Sequence, residues 1–341
     1  MPMILPALSA AVIAAVVWRT YGAWRVERAT AARLRIGPDG IIPGAEPIEL
    51  ETSAYDGGAS DGGASDGGAS DGGAHDAVRG RAVLLLHGFG DTPQTLRYLA
   101  DDLHARGYAV RAPLLPGHGR TLRAFAASCA DEWVGSARAE LAALRTRYDR
   151  VSVVGLSMGG AIASILAAEL AAEGSPLPAL VLIAPYLDMP ASVRRAARWH
   201  RALGTASAYV SGRSGEHSIH DDAERAKAIS YRATTPRLLA ELAAVADRAR
   251  GGLSRITAPT LVIQSREDNR IAPEIAERAF AALGAREKRL AWLSGCGHVV
   301  TVDRERERVF ALVREWLDAH AGSEAAGDAT SDTPGVARGD R

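Results

Sequence analysis

A serine hydroxyl is a weak nucleophile at neutral pH and becomes effective only beside a base that takes its proton. The pattern G-x-S-x-G, which can present such a serine on a tight turn, occurs four times in the 341 residues, centred on Ser60, Ser65, Ser70 and Ser157. Three of these lie in a D-G-G-A-S repeat with no strand before them or helix after them. The fourth, G-L-S-M-G around Ser157, follows the apolar run VSVV and precedes MGGAIASILAAEL, a small-residue helical pattern. That context is the strand–turn–helix that lifts a nucleophile above a sheet edge. Gly155 and Gly159 leave room for the turn, and Gly160 for close packing behind it. The helix N-terminus adds a positive field where an oxyanion would form.

On a sheet of this kind the partners follow in the order serine, acid, histidine. Asp268 lies in QSREDNRIAP after an apolar strand pattern at 259–265, and His298 lies in SGCGHVVTVD after another at 288–294. The spacing predicts His298 as base and Asp268 as the group that orients it, with Glu267 and Asp303 competing for the second role. The oxyanion needs two backbone N–H donors. Met158, directly after the nucleophile, supplies one, and the loop HGFGDTP (87–93) supplies the other through Phe89. His87 is expected to brace that loop. His217 and His220 sit in a polar stretch and receive no role.

The elements that must position these groups repeat as strand then helix between Gly80 and His320. Strand patterns fall at 82–87, 108–115, 151–156, 179–185, 259–265 and 288–294. Helical patterns fall at 93–107, 131–149, 158–170, 273–283 and 303–318, and IELETSAY (48–55) predicts an earlier strand. Alternating units of this kind imply an α/β fold whose mostly parallel sheet is covered by helices on both faces. Apolar residues make up 47% of the chain, enough for a sizeable core.

Taken together, LLLHGFGDTP (84–93), PLLPGHG (113–119), GLSMGG (155–160), QSREDNRI (264–271) and GHVVTVD (297–303) resemble the bacterial carboxylesterase and monoacylglycerol-lipase branch of the α/β-hydrolases. The resemblance spans roughly residues 80–320. It implies Ser157, Asp268 and His298 as the catalytic triad, Phe89 and Met158 as oxyanion donors, and no metal or organic cofactor. It also implies hydrolysis of short- to medium-chain acyl esters or monoacylglycerols. The same triad on the same fold can act on amides, thioesters or C–C bonds. A membrane-tethered binding protein that kept the fold is the non-enzymatic alternative.

The domain boundaries expected are an N-terminal apolar segment and basic flank at 1–44, an early strand plus Asp-Gly linker at 45–79, the core at 80–186 and 251–320, a lid insert at 187–250 and a disordered tail at 321–341. The lid begins with ASVRRAARWHRAL (191–203), basic with interleaved apolar residues. Residues 3–18 form an uncharged apolar run, slightly shorter than the about 20 residues a spanning helix needs. No Lys or Arg precedes it, and Arg19, Arg25, Arg28, Arg33 and Arg35 follow. That order predicts an uncleaved membrane anchor with the remaining chain on the cytoplasmic side. The 40 basic residues equal the 40 acidic ones, so nothing provides the basic surface of a nucleic-acid binder. Cys129 and Cys296 form no metal-ligand spacing and are expected to be reduced.

Overall fold

The structure, a computed structural model, describes residues 4–52, 80–206, 208–211 and 217–321. The D-G-G-A-S segment and the tail from Gly322 onward, expected as linker and disordered end, lie outside the described residues. Seven strands form one sheet. In chain order they are β1 (Ile48–Leu50), β2 (Arg81–Leu86), β3 (Tyr108–Ala112), β4 (Arg150–Leu156), β5 (Leu180–Ile183) and the two that leave the insert, β8 (Thr260–Ser265) and β9 (Lys288–Leu293). Their spatial order is β1-β3-β2-β4-β5-β8-β9, with β1 antiparallel to β3 and every other pair parallel.

The central strands are apolar on both sides because helices cover both faces. Along β2, Ala82, Leu84 and Leu86 join one core and Val83 and Leu85 the other. The first core takes α4 (Ala130–Arg147), α5 (Met158–Ala172) and α9 (Pro236–Gly252). The second takes α2 (Arg97–His104) and α11 (Arg306–Ala321). The segment predicted as one helix over 93–107 is a 3-10 turn at Pro93–Leu96 continued by α2. The early strand pairs over only three residues, at the sheet edge.

Between β5 and β8 lies a helical insert. It holds α6 (Ala191–Arg198), α7 (His200–Ala206), a small antiparallel pair of β6 (Val210–Ser211) with β7 (Ala233–Thr234), α8 (Asp222–Lys227) and α9. α9 buries Leu238, Leu242, Val245, Ala246 and Ala249 in the core, so this part of the insert is structural.

The apolar N-terminal run belongs to α1 (Ile4–Arg33), where the structure differs from expectation. Among the described residues no helix is long and apolar enough to cross a membrane. The second half of α1 is instead docked on the body. Thr30 is buried, and Arg33 donates to the carbonyls of Ser230 (2.6 Å) and Tyr231 (2.9 Å). Glu27 accepts from the Tyr209 hydroxyl at 2.8 Å and pairs with Arg123 at 3.1 Å. The Arg19 Nε donates to the Gly204 carbonyl of α7 at 2.7 Å. A run read as membrane-bound from its hydropathy is thus continuous with a helix whose polar residues serve the insert.

Candidate active site

Ser157 stands alone between the end of β4 and the start of α5. Its backbone has φ 55° and ψ −115°, a left-handed conformation that costs a non-glycine residue on the order of 1–3 kcal/mol. The surroundings hold it there. Its N–H donates to the Ile183 carbonyl at 2.9 Å, and its carbonyl accepts from Ala161 (3.1 Å) and Tyr186 (3.0 Å). The flanking glycines are obligatory for steric reasons. A Cβ on Gly155 would lie 2.3 Å from the Gly159 carbonyl oxygen, and one on Gly159 would lie 2.0 Å from that of Leu86. The turn closes only where side chains are missing at both positions.

His298 comes from the loop between β9 and α11. Its Nε2 lies 2.9 Å from Ser157 Oγ and its Nδ1 lies 2.8 Å from Asp268 Oδ2. With Asp268 ionised, Nδ1 carries the proton and donates to the carboxylate, leaving Nε2 to accept from the serine hydroxyl; this tautomer is assigned from the partners. Asp268 has no exposed side-chain surface. Its Oδ1 accepts from the N–H groups of Arg270 (2.7 Å) and Ile271 (2.9 Å), and its Oδ2 also accepts from Gln264 Nε2 at 2.8 Å. Burial alone would raise this carboxyl. The His298 charge and hydrogen bond, with the two backbone donors, outweigh burial and hold it below its ordinary value.

The rival carboxylates go elsewhere. Glu267 is half-exposed and accepts from Gly295 N–H at 2.7 Å. Asp303 is fully buried, and each oxygen takes two backbone N–H groups: Asp221 and Arg304 on Oδ1, both at 2.9 Å, and His220 (2.9 Å) and Gly297 (2.7 Å) on Oδ2. It therefore ties the insert, at 220–221, to the residue before His298. Gly297 permits this approach, since a Cβ there would meet the Ser218 carbonyl at 2.6 Å.

The N–H groups of Phe89 and Met158 have no backbone acceptor among the described residues. Gly88 sits against the nucleophile, with a Cβ built on it only 3.4 Å from Ser157 Cβ. His87 links the two loops that border this region. Its Nε2 accepts from Leu115 N–H at 3.1 Å, and its Nδ1 donates to the Gly88 carbonyl at 2.9 Å. Burial pushes its pKa down to about 4, so the ring stays neutral. Phe89 packs on Phe125 and Trp133, which fixes the loop from the other side.

Three further groups near Ser157 escaped sequence reasoning. Asp91 is engaged by Thr92 N–H (2.8 Å) and the Thr95 hydroxyl (2.8 Å), and burial pushes its pKa up to about 7. Tyr186 is buried beside the nucleophile turn. Arg270, two residues after Asp268, is mostly buried and donates from its Nε to the Ser218 hydroxyl at 3.1 Å. The motifs HGFGDTP and EDNRI contain two of these residues, but composition gives no sign that they turn inward. Both Cys129 and Cys296 are free thiols.

Several known proteins are similar to this chain in sequence and fold. The family described as serine aminopeptidase, S33, matches residues 78–305. The thermostable monoacylglycerol lipase of Bacillus sp. (strain H-257) is 30% identical over 241 residues, covering 70% of this chain and 91% of that protein. The carboxylesterase of Bacillus subtilis (strain 168) is 28% identical over 240 residues, covering 70% and 92%. A structure from LipS and LipT, two metagenome-derived lipolytic enzymes, aligns with TM-score 0.68 and 28% identity over 82% of this chain and 100% of that one. The Paleococcus ferrophilus monoacylglycerol lipase shares the fold at 21% identity, with TM-score 0.60 over 70% of this chain and 94% of that one. The match covers more than half of the residues and includes the strand–turn–helix at Ser157, so the chain belongs to the serine aminopeptidase S33 family of α/β-hydrolases.

Proposed function

We propose that this chain, a carboxylic ester hydrolase, cleaves short- to medium-chain acyl esters or monoacylglycerols through Ser157, His298 and Asp268 in two acyl-transfer steps. His298 takes the hydroxyl proton as Ser157 Oγ attacks the ester carbonyl. The Phe89 and Met158 N–H groups hold the oxyanion, and each such donor contributes about 2.7–4 kcal/mol to the transition state. His298 then protonates the leaving alcohol and activates water, which releases the acid. Asp268 keeps the imidazole in the acting tautomer. The single observation that carries this reading is the 2.9 Å and 2.8 Å succession from Ser157 through His298 to Asp268. The names of the curated relatives favour esters over amides, thioesters or C–C bonds.

The test is Ser157→Ala. It is expected to abolish hydrolysis of p-nitrophenyl butyrate and labelling by a fluorophosphonate probe; undiminished labelling of the variant refutes the assignment. In this reading the part of the 187–250 insert that precedes the core-packed α9 acts as the lid, since Ser157 is only 8% and His298 only 6% exposed. A substrate therefore reaches them only if a neighbouring segment moves.

The N-terminal helix rests on a lipid surface in this reading and does not cross it. Val16, Val17, Trp18, Tyr21 and Trp24 are exposed on α1, and Trp199 and Leu203 are exposed on the adjoining insert. Arg19, Arg25 and Arg28 flank them, as an interfacial helix requires. Cosedimentation with vesicles containing anionic phospholipid is expected for the full chain. Equal recovery in the supernatant with and without vesicles refutes it.

A further inference from the structure

A guanidinium in a largely dehydrated place needs a counter-charge or a full set of acceptors. Arg270 lacks both. Its side chain is mostly buried beside the candidate triad, two residues after Asp268. Its Nε donates to the Ser218 hydroxyl at 3.1 Å, and this is its side chain's one hydrogen bond to a described residue. It forms no ion pair with any described carboxylate. The two nearby acids are already occupied. Asp268 takes His298, Gln264 and two backbone N–H groups, and Asp91 takes Thr92 N–H and the Thr95 hydroxyl. The two terminal nitrogens of the guanidinium are left with donors and no protein acceptor.

Ser218, whose hydroxyl holds the Nε, accepts the Val299 N–H on its carbonyl at 2.9 Å, so Arg270 stands beside the residue that follows His298. The charge of Arg270 is felt by Tyr186, Asp268 and Asp91. Each of these borders the nucleophile: the Tyr186 N–H donates to the Ser157 carbonyl, and Asp268 holds His298. Asp91 Oδ2 lies 3.7 Å from the point where a Gly88 Cβ would stand, itself 3.4 Å from Ser157 Cβ. The Tyr186 hydroxyl also has no hydrogen-bond partner among the described residues, although the ring is only 9% exposed. A guanidinium and a phenol, both with spare donors, thus lie close to one another beside Ser157 and His298. Guanidinium donors match carboxylate and phosphate oxygens in pairs.

We propose that Arg270, with the Tyr186 hydroxyl, is an anion-binding subsite that selects ester substrates carrying a carboxylate or phosphate close to the scissile carbonyl. This rests on the ester-hydrolase reading and adds the charge of the substrate to it. The anion lies on the acyl side or the alcohol side of the ester, and matched pairs distinguish these. Mono-4-nitrophenyl glutarate against 4-nitrophenyl pentanoate tests the acyl side. Butyrylglycerol phosphate against monobutyrylglycerol tests the alcohol side.

The wild-type protein is expected to show a higher kcat/KM for the anionic member of at least one pair. Arg270→Gln should lower that anionic-to-neutral ratio at least tenfold, and Arg270→Lys should restore part of it. A readout without a variant is inhibition of pentanoate-ester hydrolysis by free glutarate or inorganic phosphate, expected to be competitive and absent for neutral analogues of the same size. The inference is overturned if the neutral member is preferred in both pairs, or if the ratio is unchanged in Arg270→Gln and neither anion competes. Fluorophosphonate labelling of Ser157 separates the two levels. Labelled protein that hydrolyses neutral esters without anion preference refutes only the subsite, whereas absent labelling with no turnover of any ester refutes the hydrolase reading itself.

Discussion

Replacing Asp303 by Asn tests whether a buried carboxylate outside the candidate triad holds the loop of His298 in place. Each of its oxygens accepts two backbone N–H groups, and among the described residues it has no cationic partner. Asn presents one oxygen and one NH2, so whichever way it lies, one pair of N–H groups faces another donor. Hydrogen bonds to a charged group contribute about 1.5–3 kcal/mol each, so the loss of two amounts to ~3–6 kcal/mol. Relief of the carboxylate's own desolvation offsets part of this and leaves about 3 kcal/mol. At roughly 2–4 °C per kcal/mol for a domain of this size, Tm should fall on the order of 10 °C. Activity should fall as well, because one lost donor is Gly297 N–H, next to His298. A displacement of about 1 Å at a reacting group costs on the order of 10²-fold in rate. Thermal unfolding followed by circular dichroism, with kcat/KM on p-nitrophenyl butyrate at 20 °C below the variant's Tm, measures both. A Tm within 2 °C of wild type together with kcat/KM within twofold would refute the reasoning.

Asp268→Asn should leave the fold intact and lower kcat by roughly 10⁴, because the amide favours the wrong imidazole tautomer; a loss below tenfold would show that another carboxylate orients His298. Asp91 ties stability to pH in a direction that can be worked out. The folded protein keeps the Asp91 proton up to about 7, whereas the unfolded chain loses it near 3.8. Between these values the folded state binds more protons, so stability present below 3.8 is lost as pH rises through 7. Asp91→Asn removes that dependence, and its Tm advantage over wild type should grow from pH 4 to pH 8, bounded at about 4 kcal/mol. A Tm difference that stays flat over this range would overturn the assignment of a buried, neutral Asp91.

The central sheet and the nucleophile turn were legible because both are local. VSVVGLSMGG carries its own strand, turn and helix, and the clashes at Gly155 and Gly159 give the physical reason for that spelling. The same pattern around Ser60, Ser65 and Ser70 lacks the flanking apolar run and helical spacing in the sequence. Asp268 and His298 are expected from their place at strand ends, and the structure brings them within 2.8 Å of each other. Asp268 is preferred over Glu267 and Asp303 although all three occupy loops at the same edge, and the folded loops bring Asp268 to the imidazole. Arg270 and Asp91 read as ordinary loop charges, because inward orientation depends on segments distant in sequence, such as Ser218. The course of α1 was misread for the same reason: its bonds to Ser230 and Tyr231 link positions almost 200 residues apart, and no periodicity reports them.

The docking of α1 has a practical corollary for anyone trimming the gene. The family match begins at residue 78, and a truncation drawn there would discard the helix whose Arg19 grips α7 and whose Arg33 grips the turn before β7. The shortened chain would keep Ser157, Asp268 and His298 and lose both this outside strut on the insert and the sheet's edge strand β1. Under the proposed lid role, the insert would then move with one of its anchors gone.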